Sequence, residues 1–164
     1  MLRCLKRQDF TLLPAVHTEY NATEELVFPD QFTVRILLTG RQTGDAVEVF
    51  EDIVPPSMGP PRHIHLNQDE TFFFLDGNFE VEVGGKRMRM AAGDVAFIPR
   101  GTVHAFKNTG ETPGRLRYLF SPAIRMADMF REFHRVMTSG GALGGEVMKE
   151  IAGRHGQIFT GAPL

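Results

Sequence analysis

The pair Gly84-Gly85 and the two short runs beside it constrain this chain more than any other feature. Phe79-Glu-Val-Glu-Val83 and Lys86-Arg-Met-Arg-Met90 both alternate apolar with charged residues, the period of a strand with one buried face. Two glycines between them can supply the positive φ angles of a two-residue hairpin turn. Folding about that turn sets Glu82 opposite Arg87, Glu80 opposite Arg89, Val81 opposite Met88 and Phe79 opposite Met90. One face is then charge-paired and the other apolar, so pairing and burial agree on one register.

The same period recurs along the chain. Phe32, Val34, Ile36 and Leu38 alternate against Thr33, Arg35 and Thr39 and predict a strand that ends at Gly40 to Gly44. Ala46 to Val54 reads as a second strand, with Val47, Val49 and Ile53 on one side. Pro55-Pro56 and Pro60-Pro61 cannot join a central ladder, so this segment is a stiff loop. Thr71 to Leu75, Val95 to Ile98, Val103 to Asn108 and a last strand through Leu116, Tyr118 and Phe120 follow, each closed by a turn pair such as Asp76-Gly77 or Gly93-Asp94. Short strands so closely punctuated predict an all-β sandwich or barrel. Residues 1–31 show no periodicity and read as an irregular extension, with His17 a surface residue. After Ser121-Pro122 the period becomes helical: Met126, Met129, Phe130, Phe133, Val136 and Met137 form one stripe, with serine as cap and proline at the first helical position. That stripe is expected to cover the barrel or a partner subunit, with His134 off it and solvated. Thr138 to Gly145 reads as a flexible link, Glu146 to Arg154 as a short helix, and the tail through His155 to Leu164 carries no motif. The organisation expected is an extension over 1–31, a barrel over 32–121 and a helical segment over 122–164.

Within the barrel, His63-Ile64-His65 reaches Glu70 after four intervening residues, and His104 follows further on. Residues i and i+2 of a strand face the same way, so His63 and His65 project together while Ile64 points to the other face. Three imidazoles and a carboxylate are a metal-ligand set. Imidazole suits Fe, Ni, Cu and Zn, and two or more histidines with one carboxylate and open positions is the usual arrangement for non-haem iron. Asp69 adjoins Glu70 and competes with it as the carboxylate. Phe72, Phe74, Phe79, Phe97, Phe106 and Phe120, with Met88 and Met90, are expected to project into the barrel interior, with Phe72, Phe74 and Phe106 as candidate walls of a substrate pocket.

Composition closes off other classes. One domain is enough for 164 residues, and a formal net charge of -2 offers no basic field for nucleic acid. A single cysteine, Cys4, excludes an intramolecular disulfide or a Cys-based zinc site and fits a reducing, cytoplasmic setting. No stretch approaches the roughly 20 apolar residues of a membrane helix, and no Ser-His-Asp pattern competes with the metal.

With these residues in hand, Gly59 to Gly77 resembles the first cupin motif: His-x-His, four residues, Glu70, six residues, Gly77. It departs at one point, since three residues separate Gly59 from His63 where the family has five. Gly93 to Asn108 resembles the second motif throughout, as Gly93, five residues, Pro99-Arg100-Gly101, two residues, His104, three residues, Asn108. The resemblance implies a cupin jelly-roll barrel, with C-terminal helices added to it, and one divalent transition metal (Fe, Ni, Mn, Co, Cu or Zn) on His63, His65, Glu70 and His104. It also favours Glu70 over Asp69. A single barrel followed by helical residues is similar to bacterial quercetinase-type dioxygenases. That likeness implies a small-molecule substrate, a flavonol or other aromatic enol, whose hydroxyl proton Glu70 accepts. A homodimer is expected from the helical stripe, which needs the barrel or a partner subunit to cover it. A non-catalytic binding module, or a metal cupin with isomerase or decarboxylase chemistry, is the alternative, because so widely shared a fold does not decide function.

Overall fold

The computed structural model describes residues 13–29, 32–140 and 145–164. Cys4 and the start of the extension lie outside these residues, as does most of the glycine-rich link after Thr138.

Two antiparallel sheets face each other. One holds six strands in the order β1 (Glu24–Val27), β2 (Thr33–Leu38), β3 (Glu48–Val54), β10 (Gly114–Ser121), β5 (Asp69–Asp76) and β8 (Val95–Ile98). The other holds five: β11 (Gln157–Phe159), β4 (His63–His65), β9 (His104–Asn108), β6 (Asn78–Val83) and β7 (Lys86–Ala91). Among the described residues, a 3-10 turn (Tyr20–Ala22) and three α-helices are added: a single turn α1 (Gly40–Thr43), then α2 (Met126–Thr138) and α3 (Gly145–Arg154). This is the expected all-β jelly roll with C-terminal helices. No helix among the described residues is long and apolar enough to cross a membrane.

The β6–β7 hairpin has the expected register at all four pairs. Gly84 and Gly85 take φ of 56° and 79° at its turn, where a β-carbon would be strained. On the charged face Arg87 serves two carboxylates, Glu80 at 2.9 Å and Glu82 at 3.1 Å. On the other face Phe79 and Val81 are buried, yet Met88 is 41% exposed and Met90 only partly covered. The reason is that β7 is the edge of its sheet. Phe97 differs from expectation for another reason: it lies on the outer face of β8, 60% exposed, while Ala96 and Ile98 point in.

Strand β3 differs from the expectation in a way that matters for the site. Its interior side is not the one bearing Val49 and Ile53 but the one bearing Glu48, Phe50, Asp52 and Val54, all buried. Two carboxyl groups therefore enter the core from a strand whose Val49 and Ile53 face outward. The expected irregular stretch around Glu24 is also strand: β1 pairs with β2 from Glu24↔Ile36 to Val27↔Thr33. The uninterpreted tail supplies β11, which pairs with β4.

Helix α2 begins later than Ser121-Pro122 suggested. Ser121 is the last residue of β10, and Arg125, at φ 58°, precedes the first turn without a side-chain cap. The cap comes from elsewhere in the chain: Glu48 accepts the N–H of Met126 at 2.7 Å, and a carboxylate suits the positive end of a helix. Met126, Met129 and Phe133 are buried against the barrel as the stripe required, each contributing about 1.5–3 kcal/mol of transfer free energy. His134 is not simply solvated. Its ring stands edge-on to Phe28 at 5.5 Å and its Nε2 lies 3.1 Å from the Val27 carbonyl.

Candidate metal centre and its cavity

Strand β4 is three residues long, and its alternation turns His63 and His65 into the barrel. Across the ladder His63 is the register partner of His104 on β9, and their ring centroids are 4.3 Å apart. Glu70 enters from the opposite sheet on the interior face of β5, the face that also carries Phe72 and Phe74. Its Oε2 is 2.8 Å from Nε2 of His104 and 3.3 Å from Nε2 of His65. All four side chains are buried, and one donor atom from each lies within 4.8 Å of the others, a group that could hold a metal ion.

The ring nitrogens show that the donor set fits a metal. Nδ1 of His63 lies 2.8 Å from the Pro61 carbonyl and Nδ1 of His104 lies 2.9 Å from that of Thr102. A backbone carbonyl can only accept, so it fixes the proton on Nδ1 and leaves Nε2 for coordination, the usual support of a ligating histidine. His65 is buried, neither ring nitrogen makes a hydrogen bond of good geometry, and its Nε2 has only the 3.3 Å approach of Glu70, so coordination would give that nitrogen a partner. Burial pushes the Glu70 carboxyl up, but His104 and His65 outweigh it and hold it down to about 2. Burial would lower His104 too, yet the Glu70 hydrogen bond and charge leave it raised. His63 is driven well below the ordinary imidazole value by burial, then by the neighbouring imidazoles of His104 and His65.

Asp69 does not compete with Glu70. It faces outward, where its carboxylate accepts from Nε, Nη2 and the backbone N of Arg100 at 3.0, 2.8 and 2.9 Å. The remaining motif residues are scaffolding. Gly101, at φ 75°, donates its N–H to the His65 carbonyl at 2.7 Å, tying the second motif's turn to the ligand strand. Asn108 donates to the carbonyls of Val54 and Thr112 and accepts from the N–H of Gly110. Gly59 is required by close approach, since a β-carbon there would lie 1.8 Å from the Phe106 carbonyl oxygen.

A cavity of about 330 Å³ opens onto His63, His65 and Glu70, at the small end of the roughly 300–1,000 Å³ typical of small-molecule sites. Phe72 and Phe106 line it. Phe74 does not; it packs behind Phe72 with its ring 5.2 Å from that of Phe79. Met129, Phe130 and Phe133 of α2, Met148 of α3 and Phe159 of β11 supply further wall. Asp52 and Tyr118 also line it, joined by a 3.0 Å hydrogen bond from the tyrosine hydroxyl. None of these wall residues outside the motifs was assigned to the site from sequence. The available signal for Asp52 was a third acid, after Glu48 and Glu51, in a strand whose other residues are apolar.

A two-sheet jelly roll that converges three imidazoles and one carboxylate beside an apolar cavity defines a β-barrel protein with a candidate metal centre. The Cupin domain family model matches residues 50–121, and the chain belongs to the cupin superfamily. An uncharacterized protein of Aquifex aeolicus is 39% identical over 69 residues, 42% of this chain and 56% of that one. Quercetin 2,3-dioxygenase of Bacillus subtilis is 34% identical over 74 residues, 44% of this chain and 21% of the enzyme. Tetracenomycin polyketide synthase protein TcmJ of Streptomyces glaucescens is 28% identical over 91 residues, 55% of this chain and 61% of that one. The matches therefore span less than two thirds of each of these relatives. Among solved structures, KdgF from Halomonas sp. superposes with a TM-score of 0.62 over 70% of this chain and 99% of that one, at 18% identity, a likeness of fold.

Proposed function

We propose that this chain is a metal-dependent dioxygenase acting on a flavonol or another flat aromatic enol, with one divalent transition metal on His63, His65, Glu70 and His104. The observation that carries the reading is the placement of His63, His65 and Glu70 at the wall of a cavity whose other surfaces are largely phenylalanine and methionine. A relative named for quercetin oxidation supports the same substrate class.

When bound, a divalent transition metal supplies a Lewis-acidic centre with positions open beyond its protein donors. The rest falls to the chain. Glu70, ionised at neutral pH, is the motif carboxylate placed to accept the proton of a substrate hydroxyl. Phe72 and Phe106 touch edge to face, with centroids 5.6 Å apart, and form one apolar wall against which a flat ring can lie. Burial of all four donors keeps bulk water from the reacting oxygen. Homodimerisation belongs to the same proposal: Val95 and Phe97, 54% and 60% exposed on edge strand β8, form the kind of apolar edge that proteins cover.

The test is oxygen uptake by protein loaded in turn with Fe, Ni, Co, Mn and Cu, offered quercetin and related flavonols. Uptake with at least one metal is expected. Silence across the whole panel, with tight binding of a small molecule retained, would replace the enzyme by a binding module.

A further inference from the structure

Asp52 is the carboxyl group lining the cavity, among the described residues, that the metal set does not use. Its register neighbours on the flanking strands are Val34 and Leu116, so the local packing is apolar. Among the described residues no Lys, Arg or His forms an ion pair with it, and its side-chain hydrogen bond is the one from Tyr118. Burial pushes the carboxyl well above its ordinary value against the pull of that bond, and the charges of Glu70 and Glu51 push it further.

The resulting neutral acid has a definite hydrogen-bonding capacity. A protonated carboxyl carries one O–H donor besides its acceptor sites. Tyr118 already donates to Oδ1, so the acid's own O–H is left to find an acceptor on the other oxygen. Tyr118 is held for this task, its ring stacked on Phe50 at 5.4 Å and edge-on to Phe72 at 6.2 Å and Phe120 at 5.7 Å. An apolar residue in place of Asp52 and phenylalanine in place of Tyr118 would fill the same space without a buried polar pair, which costs free energy unless it is fully bonded.

Along the strands the pair and the metal set stand at different levels. Phe120 is in register with Glu70, Tyr118 with Phe72, and Leu116 with both Phe74 and Asp52. A ligand lying along the cavity from Glu70 therefore reaches Asp52 with a different part of its skeleton.

We propose that Asp52 is a specificity-determining residue, positioned by Tyr118, that donates a hydrogen bond to a second oxygen of the ligand. The ligand class narrows to flat aromatics oxygenated at two separated places, one oxygen at the metal set and one at Asp52. This rests on the reading of the cavity as an aromatic-substrate site.

Anaerobic binding of quercetin and of 3-hydroxyflavone to the zinc-loaded full chain, followed by titration calorimetry, tests it. The two ligands share the metal-facing hydroxyl and ketone, and only quercetin carries further hydroxyls. Asp52→Leu is expected to weaken quercetin roughly tenfold, the worth of one hydrogen bond, and to leave 3-hydroxyflavone unchanged. Tyr118→Phe is expected to weaken quercetin about threefold with the same selectivity, and it serves if the leucine variant does not fold. Equal weakening of both ligands would mean a merely structural pair and overturn the proposal, as would no change in either. Failure of the wild-type chain to bind either compound would remove the aromatic-substrate reading itself, and this inference with it.

Discussion

Glu48 and Met126 are joined across the rim of the barrel, the carboxylate of one accepting the backbone N–H of the other at 2.7 Å. The second oxygen of Glu48 is 3.3 Å from the backbone N of Gly40, so one buried side chain anchors both the α1 turn and the helix that walls the cavity. Glu48→Ala leaves two buried donors unpaired, and an expected loss of about 2–4 kcal/mol follows. Urea unfolding measures it. A change below about 0.5 kcal/mol, the usual range for a surface site, would show that water replaces the carboxylate at no cost.

Metal affinity should rise with pH. Coordination needs Nε2 of His104 unprotonated, and His104 holds its proton above the ordinary 6.5 because Glu70 faces it. Glu70 itself, at about 2, is ionised throughout, and buried His63 stays neutral. The His104 proton therefore competes with the metal, and affinity should rise with pH until His104 is deprotonated, then level off. Competition titration with a chelator from pH 6 to 9 gives the slope. In parallel, His63→Ala and His104→Ala should each lose metal on elemental analysis; unchanged content in both sinks the ligand assignment.

Glu70→Gln separates the two duties of that residue. Its amide oxygen can still occupy a coordination position, but it cannot take a proton. Oxygen uptake should fall by about a hundredfold or more, while metal content at saturating metal falls far less. A parallel loss of both quantities would reduce Glu70 to a ligand only.

Gly59→Ala should be among the most damaging single changes outside the ligands. The added β-carbon would meet the Phe106 carbonyl at 1.8 Å, in a loop already pinned by hydrogen bonds from Ser57 to Asn108 and from Asn108 to Met58. Relief requires the loop to move away from β9, at an expected cost of about 3 kcal/mol, and His63 lies at its end. Thermal unfolding and metal content should drop together. Retention of both would mean that the shortened spacing before His63 gives the loop slack.

Where sequence reading succeeded, two independent constraints coincided. In the β6–β7 hairpin, turn chemistry and alternation demanded one register, and it is the register found. The four clustered donors lie in segments where turns and prolines left little freedom of placement. Met88 is exposed because alternation does not tell whether a strand is at an edge, and Phe97 because alternation tells which residues share a face but not which face is inward. Strand β3 was misread because its interior face bears Glu48 and Asp52, whose burial depends on Met126 and Tyr118, far away in the chain. Strand β11 has no pattern of its own to read. Its three residues become strand by bonding to β4.

That last pairing bears on how the site comes into being during synthesis. Strand β4 meets β9 at a single register pair, His63↔His104, whereas β11 pairs with all three of its residues. Thr160 donates to the Arg62 carbonyl just beyond. The ribosome joins His65 and then roughly 90 more residues before Phe159 exists, about 5 to 20 s at ordinary elongation rates. Throughout that interval the nascent chain carries its first two imidazoles on a strand lacking its outer neighbour, so a cell that loads the ion before release would be loading an unfinished cradle.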